Sequence, residues 1–204
     1  MMKQLTIAER LNRIEDKIIN DPFFGNRALS SGNGGYIFDY DPEDELVVRK
    51  FIKDFSSRQD LGFKIHVFDL YEIMIDYLDK QIGLDNVFEV ERECKDSDEG
   101  LDYLKRAVVD VIQSDSTNDI FINYIKDYIK DNANEGDVIF LTGVGKCHPF
   151  VKSHKIINNY DSKLNGVKTV LFYPGVYSGD ELRLFGTITS DNYYRSMTLI
   201  EREE

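Results

Sequence analysis

One stretch of the chain, residues 137–186, decides the fold that the sequence predicts. It begins with DVIFLTGVGKCHPFVKSHKIINNY at 137–160 and ends with KTVLFYPGVYSGDELRLFG at 168–186. In each half a short apolar run comes first, Val138–Leu141 and then Val170–Tyr173, and a glycine follows it closely. Continuous apolar runs of this length are typical of strands that are buried on both faces of a sheet.

A helix is predicted between these two strands, over about Pro149 to Asn159, which would make the stretch a parallel β-α-β unit. In α/β proteins the loops at the carboxyl ends of parallel strands usually carry the functional site. We therefore expect any site to involve Thr142–His148 or Pro174–Gly179.

Hydrophobic periodicity assigns the first third of the chain to alternating helices and strands. Apolar residues at helical spacing predict a helix over Thr6–Asn20, in which Thr6 and Glu9 would form a capping box. Short strands are predicted over Tyr36–Tyr40 and Phe63–Leu70, and a helix is predicted after each of them.

The two helices that follow these strands have candidate caps in Asp41 and Asp69. From about residue 84 to residue 134 no segment resembles a strand, and amphipathic patterns predict a helical insertion between the second and third strands. Leu182–Thr189 and Arg195–Glu201 are predicted to be two further strands. Because only a turn separates them, they could form an antiparallel edge of the sheet.

These elements predict an α/β fold with a mostly parallel central sheet of about five to six strands flanked by helices. We expect residues 1–204 to form a single α/β domain, because no repeat or linker divides the chain. No apolar run approaches the roughly 20 residues that span a membrane, and the charged N-terminus lacks a signal-peptide core. We therefore expect a cytoplasmic protein.

The chain is strongly acidic, with a formal net charge of −12 over 204 residues. Such a surface repels nucleic-acid phosphate at long range, so no direct nucleic-acid partner is expected. The acidity fits solubility, or docking to a more basic protein face. Its two cysteines, Cys94 and Cys147, form no CxxC pair and are expected to be free thiols in a reducing compartment.

The loop TGVGKC at 142–147 invites comparison with a phosphate-binding loop. Gly143, Gly145 and Lys146 match that motif, but the loop is shorter, and Cys147 stands where the motif places a hydroxyl. The alternative is a tight glycine turn that needs a positive φ or close packing.

Metal binding can be considered at two places. Cys147, His148 and His154 could ligate zinc, although the spacing of the two histidines does not suit one helix face. The carboxylates within Asp39–Asp44 could hold magnesium, or they could simply favour a helix N-terminus. His66 lies within a predicted strand and is interpreted as structural. We expect no metal and no cofactor.

Several blocks of the sequence, in order, resemble the BrxB family. They are YIFDYDPEDELVVRK (36–50), VFDLYEIMIDYL (67–78), VIFLTGVGKCHPFVKSHKIINN (138–159), VLFYPGVYSGDELRLFG (170–186) and DNYYRS (191–196). The family provides the small core component of bacterial BREX (bacteriophage exclusion) systems. Lys146 and Cys147 are not part of its pattern, which weakens the comparison with a phosphate-binding loop.

The resemblance implies a component of a host-defence assembly that is encoded beside a methyltransferase, a large ATPase and the phosphatase-like protein PglZ. It implies no catalytic residues, because the family has no established activity, and it makes PglZ the leading candidate partner. The candidate partner or ligand surface comprises loop residues, an arginine and interface-type tyrosines: Thr142, Gly143, Gly145, His148, Pro149, His154, Pro174, Gly175, Tyr177, Arg183, Tyr193 and Tyr194.

Three functions from different classes follow. The leading hypothesis is a non-enzymatic adaptor that docks on a larger defence protein, with PglZ preferred over other BREX subunits. The second is a degenerate nucleotide-binding domain that lacks a proper phosphate loop. The third is a metal-dependent hydrolase that would use the Asp39–Asp44 cluster with His148.

Overall fold

The computed structural model describes residues 3–20, 35–95, 100–112, 119–151, 168–179, 181–190 and 196–204. These parts contain the helices α1 (Ile7–Asn20), α2 (Glu45–Ser56), α3 (Leu70–Ile82), α4 (Leu84–Cys94), α5 (Gly100–Ile112) and α6 (Ile120–Asn132). They also contain the strands β1 (Tyr36–Tyr40), β2 (Ile65–Asp69), β3 (Val138–Thr142), β4 (Lys168–Tyr177), β5 (Leu182–Leu184), β6 (Ile188–Ser190) and β7 (Met197–Thr198).

The central sheet has the strand order β2-β3-β4-β1-β7, and every neighbouring pair along this path is parallel. The long strand β4 continues past the end of the parallel sheet, where its second half pairs antiparallel with β5, and β5 pairs antiparallel with β6. The fold is therefore α/β with a mostly parallel sheet, as the sequence predicted. The helical insertion between the second and third strands is also confirmed, since α4, α5 and α6 lie there.

Two hydrophobic clusters, one on each face of the sheet, form a three-layer arrangement. One face packs against α1 and α2 through residues such as Phe38, Phe140 and Phe172. The other packs against α3, α5 and α6 through residues such as Ile139 and Leu171. Alternate residues of β1, β3 and β4 enter the two clusters, which explains why these strands are continuous apolar runs in the sequence.

The helix caps agree with the sequence in two cases and differ in a third. The Thr6 amide donates to the Glu9 carboxylate at 2.8 Å and the Glu9 amide donates to Thr6 Oγ1, which is a capping box. The Asp69 carboxylate caps α3 by accepting from the Tyr71 amide. The prediction for Asp41 was wrong, because its side chain makes no cap hydrogen bond and pairs with Arg202 instead.

The predictions for the C-terminal strands were also wrong in detail. Leu182–Thr189 is not one strand, because residues 185–187 form a tight turn that folds β6 back on β5. The last strand, β7, pairs parallel with β1 and so makes no antiparallel edge with β6. The antiparallel part is instead the β4-β5-β6 meander.

The helix predicted over Pro149–Asn159 does not begin at Pro149. Residues 144–150 form successive turns, and residues 152–159 lie outside the described residues.

Within the described parts of the chain, no helix combines the length and apolar character that crossing a bilayer requires.

Candidate functional site

The loop after β3 is built around a glycine that touches the end of β2. Gly143 has φ of 81°, and a Cβ placed there would overlap the Asp69 carboxylate. A glycine is therefore required both for the left-handed backbone and for the close approach. The alternative to a phosphate-binding loop, a tight turn that needs positive φ and close packing, therefore explains Gly143 without a ligand.

Four amides in the second half of this loop bond within it. The Cys147 amide donates to the Gly143 carbonyl at 3.1 Å, and the His148 amide donates to the Gly145 carbonyl at 3.3 Å. The Phe150 and Val151 amides both donate to the Cys147 carbonyl. A phosphate-binding loop instead directs its amides at the ligand. These four amides are bonded within the loop and are therefore not available to a phosphate.

The charged group of this loop is also paired internally. The Lys146 ammonium forms an ion pair with the Asp69 carboxylate, which also lies against Gly143. Next to it, Cys147 is fully buried, and burial, with the nearby charge of Asp69, raises the pKa of its thiol to about 12. The thiolate, which is the nucleophilic form of cysteine, is therefore strongly disfavoured here.

A cleft of about 310 Å³ lies between α2 and the carboxyl ends of β2 and β3. It is lined by three cationic side chains, those of Arg49, Lys53 and Lys146. Arg49 Nε forms an ion pair with Glu45 Oε1 at 2.7 Å. Acidic side chains line it in equal number, so the cleft has no excess of positive charge.

The second half of β4 and the β5-β6 hairpin form the other part of this edge. Pro174 and Gly175 lie where β4 leaves the parallel sheet, and Gly175 pairs with Leu184 of β5. The Phe185 amide donates to the Pro174 carbonyl at 2.9 Å, and the chain then turns. Phe185 adopts φ of 54°, a left-handed conformation that is uncommon for a residue other than glycine.

The aromatic ring at this turn brings several of the predicted site residues together. A Cβ on Gly145 would lie 2.9 Å from the Phe185 ring and 3.1 Å from Pro174, so the ring closes over the loop after β3. The His148 ring meets Phe185 edge-on, with 6.4 Å between ring centroids. We define the hairpin face as Gly145, His148, Pro174, Arg183 and Phe185.

The hairpin face is partly apolar and exposed. Phe185 keeps 39% of its surface accessible. Arg183 also reaches solvent, and it forms an ion pair with Glu181 at 3.6 Å. This edge therefore combines an exposed aromatic ring with an arginine, the two kinds of side chain that are enriched at the centres of protein interfaces.

A buried ionic cluster lies beneath this face. Asp39 accepts from Arg10 at 2.8 Å and from Arg202 at 2.7 Å, and its second oxygen also accepts from the Tyr177 amide at 3.3 Å. Arg202 donates further to Asp41 and to the Gly175 carbonyl. The cluster thus ties α1 and the C-terminal residues to the base of the hairpin.

This arrangement does not resemble the magnesium site that the Asp39–Asp44 carboxylates suggested. Asp39 is enclosed by two arginines, and His148 lies against Phe185. Among the described residues, no group of three or more His, Cys, Asp or Glu side chains could hold a metal ion. The zinc hypothesis includes His154, which lies outside those residues.

His66 has the structural surroundings that its place in a strand indicated. Its Nε2 lies 2.9 Å from the Asp137 carboxylate, and the amides of Lys64 and Asn134 donate to the same group. Burial alone would raise the pKa of Asp137, but these three hydrogen bonds outweigh it and hold the pKa below its usual value. The pair lies at the opposite end of β2 from Asp69.

The other predicted site residues take different places. Thr142 donates its hydroxyl to the Phe68 carbonyl at 3.4 Å and lines the cleft. Pro149 is exposed and follows a cis peptide bond. Tyr177 is buried beneath the hairpin face, where its hydroxyl donates to the Ser196 carbonyl at 2.6 Å. Tyr193 and Tyr194 lie outside the described residues.

Sequence reasoning missed three residues that shape this edge. Phe185 was assigned to the interior of a strand, although the Gly186 beside it was a signal for a turn. Arg10 and Arg202 gave no local signal, since their common partner Asp39 is 29 and 163 positions away in the sequence.

Fold and site together define a three-layer α/β protein. At the carboxyl ends of its parallel strands, internal ion pairs hold the chain and an exposed apolar hairpin projects. The chain belongs to the BrxB family, because the family model described as "BREX protein BrxB" matches residues 66–199. This confirms the resemblance found in the sequence.

Two similar curated proteins carry the same description. One, from Bacillus cereus (strain H3081.97), is 39% identical over 198 residues, which cover 96% of this chain and 98% of that protein. The other, from Escherichia coli O9:H4 (strain HS), is 29% identical over 192 residues, which cover 94% and 90%. No solved structure matches the chain.

Proposed function

We propose that this chain is a non-catalytic interaction subunit of a cytoplasmic BREX anti-phage assembly, and that it docks on PglZ through the hairpin face. Membership of the BrxB family supports the BREX context. The observation that carries the docking proposal is the exposed Phe185, held in a left-handed conformation over the loop after β3.

The conformation of Phe185 supports a role in binding because it is unfavourable for folding. A residue with a Cβ costs about 1–2 kcal/mol in the left-handed region, and glycine or asparagine would avoid much of this cost. The ring packs against Gly145 and His148, yet 39% of the residue remains exposed to water. Its presence is explained if the ring contributes to binding another protein.

The groups that could perform chemistry at this edge support a non-catalytic role. Lys146 is paired with Asp69, and Asp39 is enclosed by Arg10 and Arg202. Cys147 is buried with a raised thiol pKa. Ionisable groups that are paired or buried in this way stabilise the edge, and a catalytic group would instead need access to a substrate.

The test is a pull-down of the tagged full-length chain from cells that carry the complete gene cluster. PglZ should co-purify with the wild-type protein and should be lost with Phe185→Gly, which removes the ring while relieving the backbone conformation. Phe88→Gly removes a ring that is also exposed, on α4, and serves as the control. Absence of PglZ from the wild-type eluate, or equal recovery with Phe185→Gly, would contradict the proposal.

The cleft beside Lys146 favours a second candidate, nucleotide binding. A ligand at 100 times its dissociation constant stabilises a protein by about 2.7 kcal/mol, so saturating ATP with magnesium should then raise the melting temperature. An unchanged melting temperature at millimolar nucleotide would eliminate this candidate. The adaptor remains our first choice, because Lys146 is paired with Asp69 and the amides of Cys147, His148, Phe150 and Val151 bond within the loop.

A further inference from the structure

The long strand β4 loses its parallel neighbour β1 part of the way along its length. The last pair in the register between these two strands joins Tyr40 to Pro174. Beyond this pair, the neighbour of β4 among the described strands is β5, which lies antiparallel to residues 175–177. One side of residues 175–177 therefore faces β5, and the other side extends past the end of β1.

The backbone groups of β4 alternate between these two sides. Successive residues of a strand direct their backbone groups in opposite directions, and the Phe185 amide donates to the Pro174 carbonyl at 2.9 Å. The backbone groups of Pro174 therefore point towards the hairpin. Those of Gly175 and Tyr177, one and three positions further on, point away from it and need partners beyond the end of β1.

Two side chains take the place of the missing strand. The Gly175 carbonyl accepts from Arg202 Nη2 at 2.8 Å, and the Tyr177 amide donates to Asp39 Oδ2 at 3.3 Å. Arg202 Nε also donates to Asp39 Oδ2, at 2.7 Å, so the donor and the acceptor are joined in one ion pair. A peptide group of a neighbouring strand would offer the same combination of one donor and one acceptor.

The guanidinium group of Arg202 fits this position because its donors have fixed directions. Its Nε bonds Asp39, its Nη1 bonds Asp41 and its Nη2 bonds the Gly175 carbonyl, each at 2.7–2.8 Å. A lysine ammonium would carry the same charge, but it is a point charge on a flexible stem and lacks the planar fork. Arginine is therefore suited to hold all three groups at once.

We infer that Arg202 is a positioning residue for the β5-β6 hairpin. Paired with Asp39, it completes the edge of β4 beyond the end of β1 and so fixes the direction in which β4 leads into the hairpin. Leu182 and Leu184 are buried in the core, so the hairpin stays attached without Arg202 but opens locally more often. This inference goes beyond the proposed function, because it concerns the conformation of the hairpin whichever protein binds there.

The test is hydrogen–deuterium exchange of the isolated full-length chain, followed by mass spectrometry of peptides that cover residues 175–179 and 182–190. Arg202→Lys keeps the charge and removes the fork, whereas Arg202→Met removes both. We expect these peptides to exchange roughly tenfold faster in both variants, as the loss of one hydrogen bond to a charged group predicts for a local opening. Because Arg202→Lys retains a cation beside Asp39, it decides the test if Arg202→Met does not fold.

Asp137→Asn is the control for a general loss of stability. Asp137 accepts hydrogen bonds at the other end of β3 from the loop that contacts the hairpin. Its replacement weakens the whole fold, but a local opening of the hairpin leaves the surroundings of Asp137 intact. The hairpin peptides should therefore exchange as in the wild type.

Two results would overturn the inference. Equal acceleration by Asp137→Asn and by the Arg202 variants would show that the hairpin opens only when the whole chain unfolds. Exchange at the wild-type rate in Arg202→Lys would show that the fork of the guanidinium group is not needed. The measurement uses no partner, so a failure of PglZ to bind would contradict the proposed function and leave this result unaffected.

Discussion

Replacing Asp39 by asparagine should strongly destabilise the protein. The carboxylate is almost inaccessible to water and pairs with both Arg10 and Arg202, while also accepting from the Tyr177 amide. Asparagine has nearly the same shape but no charge, and its amide nitrogen would face a donor. The substitution therefore removes the compensating charge from Arg10, whose side chain is only 4% exposed.

The expected cost follows from the burial of this pair. Removing one partner of a buried ion pair typically costs about 3–5 kcal/mol, because the remaining charge is left uncompensated. A protein of this size loses about 2–4 °C of melting temperature per kcal/mol, so the melting temperature should fall by roughly 6–20 °C. That loss is a large part of the roughly 5–15 kcal/mol by which folded proteins are stable.

The measurement is urea unfolding followed by far-ultraviolet circular dichroism, at neutral pH. Asp41→Asn is the matched control: its carboxylate pairs with Arg202 at 2.8 Å but is 56% exposed, so its loss should cost less than about 1 kcal/mol. If Asp39→Asn unfolds within about 1 kcal/mol of the wild type, the buried cluster does not have the structural role that we assign to it.

Three further predictions concern the loop after β3 and Asp137, which lies at the opposite end of that strand. Gly143→Ala should cost roughly 2–5 kcal/mol of unfolding free energy, from about 1–2 for the left-handed backbone and about 1–3 for overlap with the neighbouring carboxylate. Gly62→Ala, at similar φ with open space around it, should show only the first part in the same urea titration. Cys147 should resist a thiol reagent such as DTNB at pH 8 until the protein is unfolded, whereas the half-buried Cys94 should react in the native state; rapid reaction of both thiols would contradict the burial. Because the pKa of Asp137 is lowered on folding, its ionised form stabilises the protein above its unfolded pKa of about 3.9, and this contribution disappears as the pH falls through the lower folded value. Asp137→Asn should therefore destabilise the protein at pH 7 but progressively less in acid, and a cost that is independent of pH would refute the assignment.

The sequence predicted the parts of the fold that depend on local patterns. The runs Val138–Leu141 and Val170–Tyr173 form adjacent parallel strands, because residues buried on both faces must be apolar throughout. The capping pairs at Thr6 and Asp69 were also found, since a cap needs only residues close in the sequence. These features could be predicted without knowing the tertiary structure.

The remaining features depend on contacts between distant residues. LRLFGTIT alternates like one strand, but residues 185–187 turn the chain so that β6 pairs with β5, and Phe185 packs against the distant residues Pro174 and Gly145. Aspartate is a residue type that favours helix N-caps, but the carboxylate of Asp41 pairs with Arg202, which is 161 positions away in the sequence. For the same reason the sequence analysis singled out Gly145, His148 and Pro174 but missed Phe185, which contacts all three.

We propose that PglZ binds at the hairpin face. Hydrogen–deuterium exchange of the full-length chain, alone and with purified PglZ, measures this most directly. We predict slower amide exchange in residues 144–151 and 182–190 when PglZ is present, and unchanged exchange in α4 and α5. Protection confined to α4 and α5, with the hairpin exchanging as in the isolated chain, would contradict it.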